Sequence, residues 1–558
     1  MKAMRFLGVV MLGVCLLWGC AATKKRLDPT LGTVLDPTYK MERVAADSPF
    51  PGVNGATVGN DGNLYVTHTG NGTVTRIDLA TKKPSLFVPP YAGVFIPDDI
   101  AADDKGHLYV TGTTPLVGEV YRIDRNGVKT IIASGMAAPN GIEYNPRNGR
   151  LFVSECFQGN RIYEVDPTGR QPARLLVDKD VIPVPEGFGF DPDTNDLIVP
   201  DMGTGKILRV HPDTGAIKTI AEKFTTPIAL TIGPDKMVYI PELATGAVYK
   251  MALDGTRREK IAQLVPGLDN LAMTPDGRLF VTSYWNATIF EVTTDGSGRF
   301  EQLFPYGPNQ PVGIVVKENG LWVADAIMVR NVLDGVYQPT KLNAWASHGM
   351  PLPLSLTDGP GSKIFWTDCI HGAVALGDPV TGEFKAVAGG LKLPMAALMN
   401  PAATELYVAE YGAGQITAIH LADGTPKVLA TDLQGPLAMA LIGEQLFVGE
   451  AKAGRISRVD LGTGRKTVLL SALAAKPGAL ADDGQGRLLV LDGAAQKLLR
   501  VDPQTLAVSV VAAHLPIAYG TVGSYPPVEF ALPMSVDKQG SIYLTTADRG
   551  LLKLKKMP

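Results

Sequence analysis

The sequence predicts an all-β protein made of two six-bladed β-propellers in tandem, and three observations lead there. The apolar triplet Leu151-Phe152-Val153 has counterparts starting at Leu64, Leu108, Leu197, Val238, Leu279, Leu321, Ile364, Leu406, Leu446, Leu488 and Ile542. Successive starts lie 40 to 46 residues apart, except the last interval of 54. Four-stranded repeats at this period are the mark of propeller blades. The interior of one repeat supports this reading. A Pro-Asn-Gly turn at Pro139-Asn140-Gly141 leads into the apolar run 142–144, and a polar turn at 145–149 precedes the triplet. A second turn at 158–160 is followed by the alternating run 161–165, and a fourth strand is expected at 173–177. Length supplies the third observation. At 558 residues the chain exceeds a single core, and twelve repeats exceed the roughly 4–8 blades of one ring, so two rings of six is the natural partition.

Composition agrees. The 61 glycines and 42 prolines punctuate turns, and no long amphipathic helical pattern occurs. Net charge is −3 with acids and bases interspersed, which leaves no basic footprint for nucleic acid.

In chain order, residues 1–19 read as a targeting segment. Lys2 and Arg5 precede a short apolar run, 6–18, which is brief for a bilayer span. The run ends at Leu17-Trp18-Gly19-Cys20, which resembles the bacterial lipoprotein cleavage box. That resemblance implies cleavage before Cys20, lipidation of its thiol and a membrane contact through the lipid alone, in the bacterial cell envelope. Trp18 is bulkier than the usual residue there, and an ordinary secretory signal is the alternative. Ala21, rather than Asp, after the cysteine points to the outer membrane by the habit of that class. Residues 20–39 read as a tether, 40–304 as the first propeller and 305–558 as the second. Lys40–Ala45 is expected to complete the blade begun near Leu268, and 299–304 to cross over into the last blade of the second ring. The alternative keeps 299–304 in its own blade. Such exchanges remove free sheet edges. Cys156 and Cys369 occupy the same place in blades of different rings, and both read as small buried residues.

The first strand of each blade starts at one face of the central channel, so these starts can be compared across repeats. In the first ring they are Asn54, Asp98, Asn140, Glu186, Ile228 and Asp269. In the second they are Val312, Leu354, Met395, Leu437, Gly478 and Met534. Amide and carboxylate oxygens converging on one axis suit a hard cation, and burying them without one is costly. The first ring therefore holds the candidate metal ligands Asn54, Asp98, Asn140, Glu186 and Asp269.

These residues carry a family resemblance. Pro139-Asn140-Gly141-Ile142 matches the PNG motif of the senescence-marker-protein/gluconolactonase family, and the first ring resembles that family's propeller. By that resemblance Asn140 is a metal ligand. Pro185-Glu186-Gly187 stands where the family has Pro-Asp-Gly, whose acid is ligand and base. Asp98-Asp99-Ile100 stands where it has Asn-Asp-Gly, and Asn54 where it has a ligand Glu. Two acids and two amides are kept in number but not in order. Leu268-Asp269-Asn270 resembles the Asp-Asn ligand pair of paraoxonases. The blades throughout are also similar to NHL-repeat and streptogramin-lyase-like propellers.

The resemblance implies a divalent cation, calcium first with manganese or zinc as alternatives, and hydrolysis of a small lactone or ester. Glu186 or Asp98 would act as general base. His68 is a further catalytic candidate. It occupies the second-strand position held elsewhere by Glu155, Asp201, Glu242, Asp325, Asp368, Glu410, Glu450 and Asp492, on the face of Asn54. An exposed turn histidine is its alternative reading. The recurring acids read as structural, because both rings have them. Two rival functions stand beside hydrolysis: a non-catalytic NHL-like scaffold or subunit of a surface complex, and a lyase using His68. The second ring reads as structural or as a docking surface for a protein partner. The apolar loop 89–95 is a candidate roof over the channel, and the aromatic insertion 514–530 belongs to the second ring.

Overall fold

A computed structural model of the chain describes residues 32–45, 49–70, 72–89, 94, 96–113, 117–309, 311–325, 327–344, 349–471, 477–517, 533–546 and 550–558. The targeting segment, Cys20, most of the loop 89–95 and the bulk of the insertion 514–530 lie outside the described residues. Among the described residues there is no helix, and the structure is all-β with antiparallel sheets throughout. Two compact units divide the chain. One is Pro49–Asn309; the other runs from Gln310 to Pro558 and includes residues 32–45.

The first unit contains six four-stranded sheets, each built from consecutive strands. The first sheet shows why the repeat was visible. Its second strand, Leu64–His68, is buried at every position, whereas its fourth, Lys83–Val88, is largely exposed. A strand covered on both faces by neighbouring sheets needs a continuous apolar run rather than alternation. The same full burial recurs at Leu197–Asp201 and Leu279–Ser283, and in the second unit at Ile364–Asp368 and Leu488–Asp492. The sixth sheet packs on the first: Ala272, Phe280 and Ile289 share a core with Phe50, Leu64, Val66 and Ile77. The first strands, Val53–Val58 and Leu268–Met273, touch as well.

The second unit also holds six sheets, and its two ends meet in one of them. Tyr39–Ala45 forms the outer strand of the last sheet, antiparallel to Leu551–Lys556, with Tyr39 opposite Lys556 and Arg43 opposite Leu552. Thr33–Val34 adds a fifth strand to the preceding sheet by pairing with Ala512 and Ala513. Arg500 reinforces this edge through an ion pair with Asp36 and a hydrogen bond to Tyr39.

Both pairings correct the expectation from sequence. Lys40–Ala45 belongs to the second unit, not to the sheet of Leu268, and residues 33–39 are fixed structure rather than tether. Phe300–Gln302 stays in its own sheet, paired with Thr288–Val292 through Phe290 and Gln302. The physical reason is sheet completion. The last sheet has only three strands of its own near the C-terminus, and the N-terminal strand supplies the missing edge.

Candidate functional site

Strand pairing is interrupted at the same place in four sheets of the first unit. Val53 pairs with His68, then Ala56 with Val66. Pro97 pairs with Gly112, then Ile100 with Val110. Pro139 pairs with Glu155, then Ile142 with Val153. Leu268 pairs with Ser283, then Leu271 with Val281. Each interruption is a bulge with one extra residue on the first strand, a feature that bends the strand and re-aims its side chains. The residues inside the bulges are Asn54-Gly55, Asp98-Asp99, Asn140-Gly141 and Asp269-Asn270. In the fourth and fifth sheets single bridges, Pro185 to Asp201 and Pro227 to Glu242, hold the residue before Glu186 and Ile228.

Side chains from these bulges share one neighbourhood. The Asn54 side chain hydrogen-bonds the Asp98 carboxyl, and Asp98, Asp269 and Glu186 act on one another electrostatically. Asn140 hydrogen-bonds the Cys156 thiol, which also feels Glu186, Asp98 and Asp269. The five expected ligand residues therefore lie together. Asn54 and Glu186 are 7% and 1% exposed, while Asp98, Asn140 and Asp269 are partly open.

Burial dominates the electrostatics. It pushes the Asp98 carboxyl up to about 7, helped by the charge of Asp99 and opposed by the Asn54 hydrogen bond. Glu186 rises well above the carboxylate range through burial and then through Asp98 and Asp269, and Asp269 does so through burial, Asp98 and Asp99. Crowded acids without a cationic partner favour either protons or a bound cation.

Two buried oxygens make the case for a cation concrete. Asn54 Oδ1 and Glu186 Oε1 lack hydrogen-bond partners in a setting where an unpaired polar atom is costly. With Asp98, Asn140 and Asp269 they form an all-oxygen donor set, which fits a hard divalent ion. Among the described residues no three His, Cys, Asp or Glu side chains form a metal-holding group by themselves.

His68 pairs with Val53, the residue before Asn54, and lies in the core of its sheet. It is 0% exposed, its Nε2 lies 2.9 Å from Thr75 Oγ1, and its ring packs 5.7 Å from that of Phe50. That is a core environment rather than the exposed turn of the alternative reading. The acids that share its position hold loops. Glu155, Asp201, Glu242, Asp368, Glu410 and Glu450 accept the backbone N–H of Ala137, Val184, Thr225, Leu352, Lys392 and Gln434, respectively.

Other neighbours were not expected from the sequence. Asp99 accepts from the N–H of Ile142 at 3.0 Å and of Ile100 at 2.8 Å, and from Asn270. Glu143 is raised well above the carboxylate range by burial and by Asp99. Cys156, read as a small core residue, is indeed buried and free, yet it also borders the site. Four hydroxyls complete the set. Thr67, Thr111, Ser154 and Thr282 accept from the N–H of Gly55, Asp99, Gly141 and Asn270 at 2.8, 3.0, 3.0 and 2.9 Å. A signal for them was present, because each stands three residues after the start of its repeat triplet.

No family model matches the chain. A gluconolactonase of Zymomonas mobilis is 27% identical over 195 residues, covering 30% of this chain and 55% of that protein. The chain thus spans about half the length of the curated relative it matches. Among solved structures, a gluconolactonase of Xanthomonas campestris is 16% identical and covers 47% of this chain and 95% of that one, with a TM-score of 0.36. A virginiamycin B lyase of Staphylococcus aureus is 19% identical and covers 51% of this chain and 96% of that one, with a TM-score of 0.37.

Proposed function

We propose that each unit is a six-bladed propeller and that the first binds a divalent cation, calcium foremost, and hydrolyses a small lactone or ester. The observation that carries this reading is the pair of buried oxygens, Asn54 Oδ1 and Glu186 Oε1, that find no hydrogen-bond partner among the described residues, beside a neighbourhood of acids. Similarity to a gluconolactonase supports the substrate class.

Asn54, Asp98, Asn140, Glu186 and Asp269 would hold the cation, which when bound supplies a Lewis acid for the substrate carbonyl oxygen. The chain's own residues do the rest. Glu186 accepts a proton from the attacking water, and Asp98 is the alternative base. Water adds to the carbonyl carbon, the ester C–O bond breaks, and the proton returns to the leaving alkoxide, giving a hydroxy acid from a lactone or an acid and an alcohol from an ester. Burial of Glu186 and Asn54 keeps bulk water from competing for the same oxygens.

A lipid anchor at Cys20, an outer-membrane location in a bacterial envelope and a protein-docking role for the second unit are part of the same proposal. The second reading is a non-catalytic scaffold or subunit of a surface complex. Metal content and lactone turnover of the signal-free protein, wild type beside Asn140→Ala/Glu186→Ala, separate the two. One tightly held ion, lost in the variant together with turnover, supports the hydrolase. An ion without turnover supports the scaffold, and no ion in the wild type defeats the metal-site reading and leaves a pair of interaction propellers.

A further inference from the structure

The hydroxyls behind the site do more than satisfy their own bulges. Thr67 Oγ1 donates to the carbonyl of Asp98 at 2.5 Å, and Thr111 Oγ1 to that of Asn140 at 2.6 Å. Ser154 Oγ donates to the carbonyl of Glu186 at 3.3 Å, and Thr282 Oγ1 to that of Asn54 at 2.6 Å. Each hydroxyl therefore bridges the bulge of its own sheet to the candidate ligand of the next sheet. The series runs from the sixth sheet to the first, second, third and fourth. Its acceptors are the four residues Asn54, Asp98, Asn140 and Glu186.

The series is specific to these four. Pro200 and Pro241 stand at the same position in the fourth and fifth sheets and carry no hydroxyl. In the second unit that position holds Ala324, Thr367, Ala409, Gly449, Leu491 and Thr545. There Thr367 pairs with Ser355, and Thr545 Oγ1 has no hydrogen-bond partner. A purely structural role would be needed equally in both units, since both stack the same kind of sheet. The relay instead tracks the polar site.

We propose that Thr67, Thr111, Ser154 and Thr282 are positioning residues that fix the spacing of the four candidate ligands by pinning the backbone of each. This rests on the metal-site reading above. Outer-shell hydrogen bonds typically change metal affinity by about 10–100-fold when removed. A hydroxyl that holds a ligand's main chain acts through that ligand and leaves the donor atoms themselves unchanged.

The test is calcium titration of the full signal-free chain by calorimetry, repeated with manganese, on wild type, Thr111→Val, Thr111→Ser and Thr367→Val. Thermal unfolding of each metal-free protein runs in parallel. Thr111→Val should weaken cation affinity by about tenfold or more. Thr111→Ser should restore the wild-type affinity, and Thr367→Val should leave it unchanged. Should Thr111→Val fail to fold, Thr282→Val tests the same device through Asn54. Thr111→Val binding as tightly as wild type would overturn the relay while leaving the site reading intact, as would equal losses in the valine and serine variants. A wild-type protein that binds neither ion would overturn the site reading and the relay with it.

Discussion

Asn270 Nδ2 donates to Asp99 Oδ1 at 2.6 Å, joining the sixth sheet of the first unit to its second across the first. Asp99 is only 5% exposed, and burial pushes its carboxyl up to about 7 against the hydrogen bonds of Ile142, Ile100 and Asn270. Removing one donor leaves a buried acceptor short. Asn270→Leu should lower stability by about 1–3 kcal/mol in chemical denaturation, and a change below about 0.5 kcal/mol would show that the contact is dispensable.

The bulges need close approach of neighbouring backbones. A Cβ on Gly141 would meet the Glu186 carbonyl oxygen and Gly187 Cα, each at 2.8 Å, and neither is a side chain that can swing away. Gly141→Ala should therefore cost about 1–3 kcal/mol, as overpacking does. Gly389→Ala, where a Cβ would meet nothing within 4 Å, is the control and should leave the melting temperature nearly unchanged.

The second unit contains a fully buried ion pair. Arg330 Nη1 lies 2.8 Å from Asp325 Oδ2, both side chains are 0% exposed, and the guanidinium sits 4.9 Å from the Tyr337 ring centre. Removing the carboxylate leaves the cation in the core without its counter-charge. Asp325→Ala should destabilise by about 3–5 kcal/mol. A loss below about 1 kcal/mol, the scale of a surface pair, would mean that water reaches the guanidinium.

His371 Nδ1 lies 2.7 Å from Asp368 Oδ2, and this hydrogen bond, opposed by burial, raises the imidazole above its ordinary 6.5. A group with a higher pKa in the folded chain gives stability that is complete below its unfolded value and is lost as pH rises through the folded one. The second unit should therefore lose stability as pH climbs past 6.5. In thermal unfolding, His371→Asn should flatten that slope; an unchanged slope would assign it to another group.

Much of the fold was legible because of one physical fact. Second strands such as Leu64–His68 are covered on both faces, so each repeat carries a continuous apolar run that sequence alone reveals. The polar starts Asn54, Asp98, Asn140, Glu186 and Asp269 were legible for a related reason, since a bulge recurs at one place in the repeat. The termini were not legible. Tyr39–Ala45 and Phe300–Gln302 are both edge strands, and for Tyr39–Ala45 the sheet that lacks an edge lies hundreds of residues away. His68 stands in a first sheet that departs from the repeat. Elsewhere the carboxylate at its position accepts a loop N–H, but here the N–H of Gly52 goes to Asn309 Oδ1 at 2.9 Å. The position is thereby released to a ring that packs on Phe50. The bond between Asp99 and Asn270 was not legible, because it depends on bulges that turn both residues toward neighbouring sheets.

The pairing of Tyr39–Ala45 with Leu551–Lys556 sets an order of events during synthesis. The strand Tyr39–Ala45 must wait until Leu551–Lys556 has been made before it finds its ladder. Residues 49–309, translated between the two, can complete all their own sheets in the meantime. In chain order the first unit is thus an insertion within the second. A nonsense codon between residues 310 and 550 would spare the first unit's sheets while leaving the second unit permanently open, with the waiting strand as an unpaired edge.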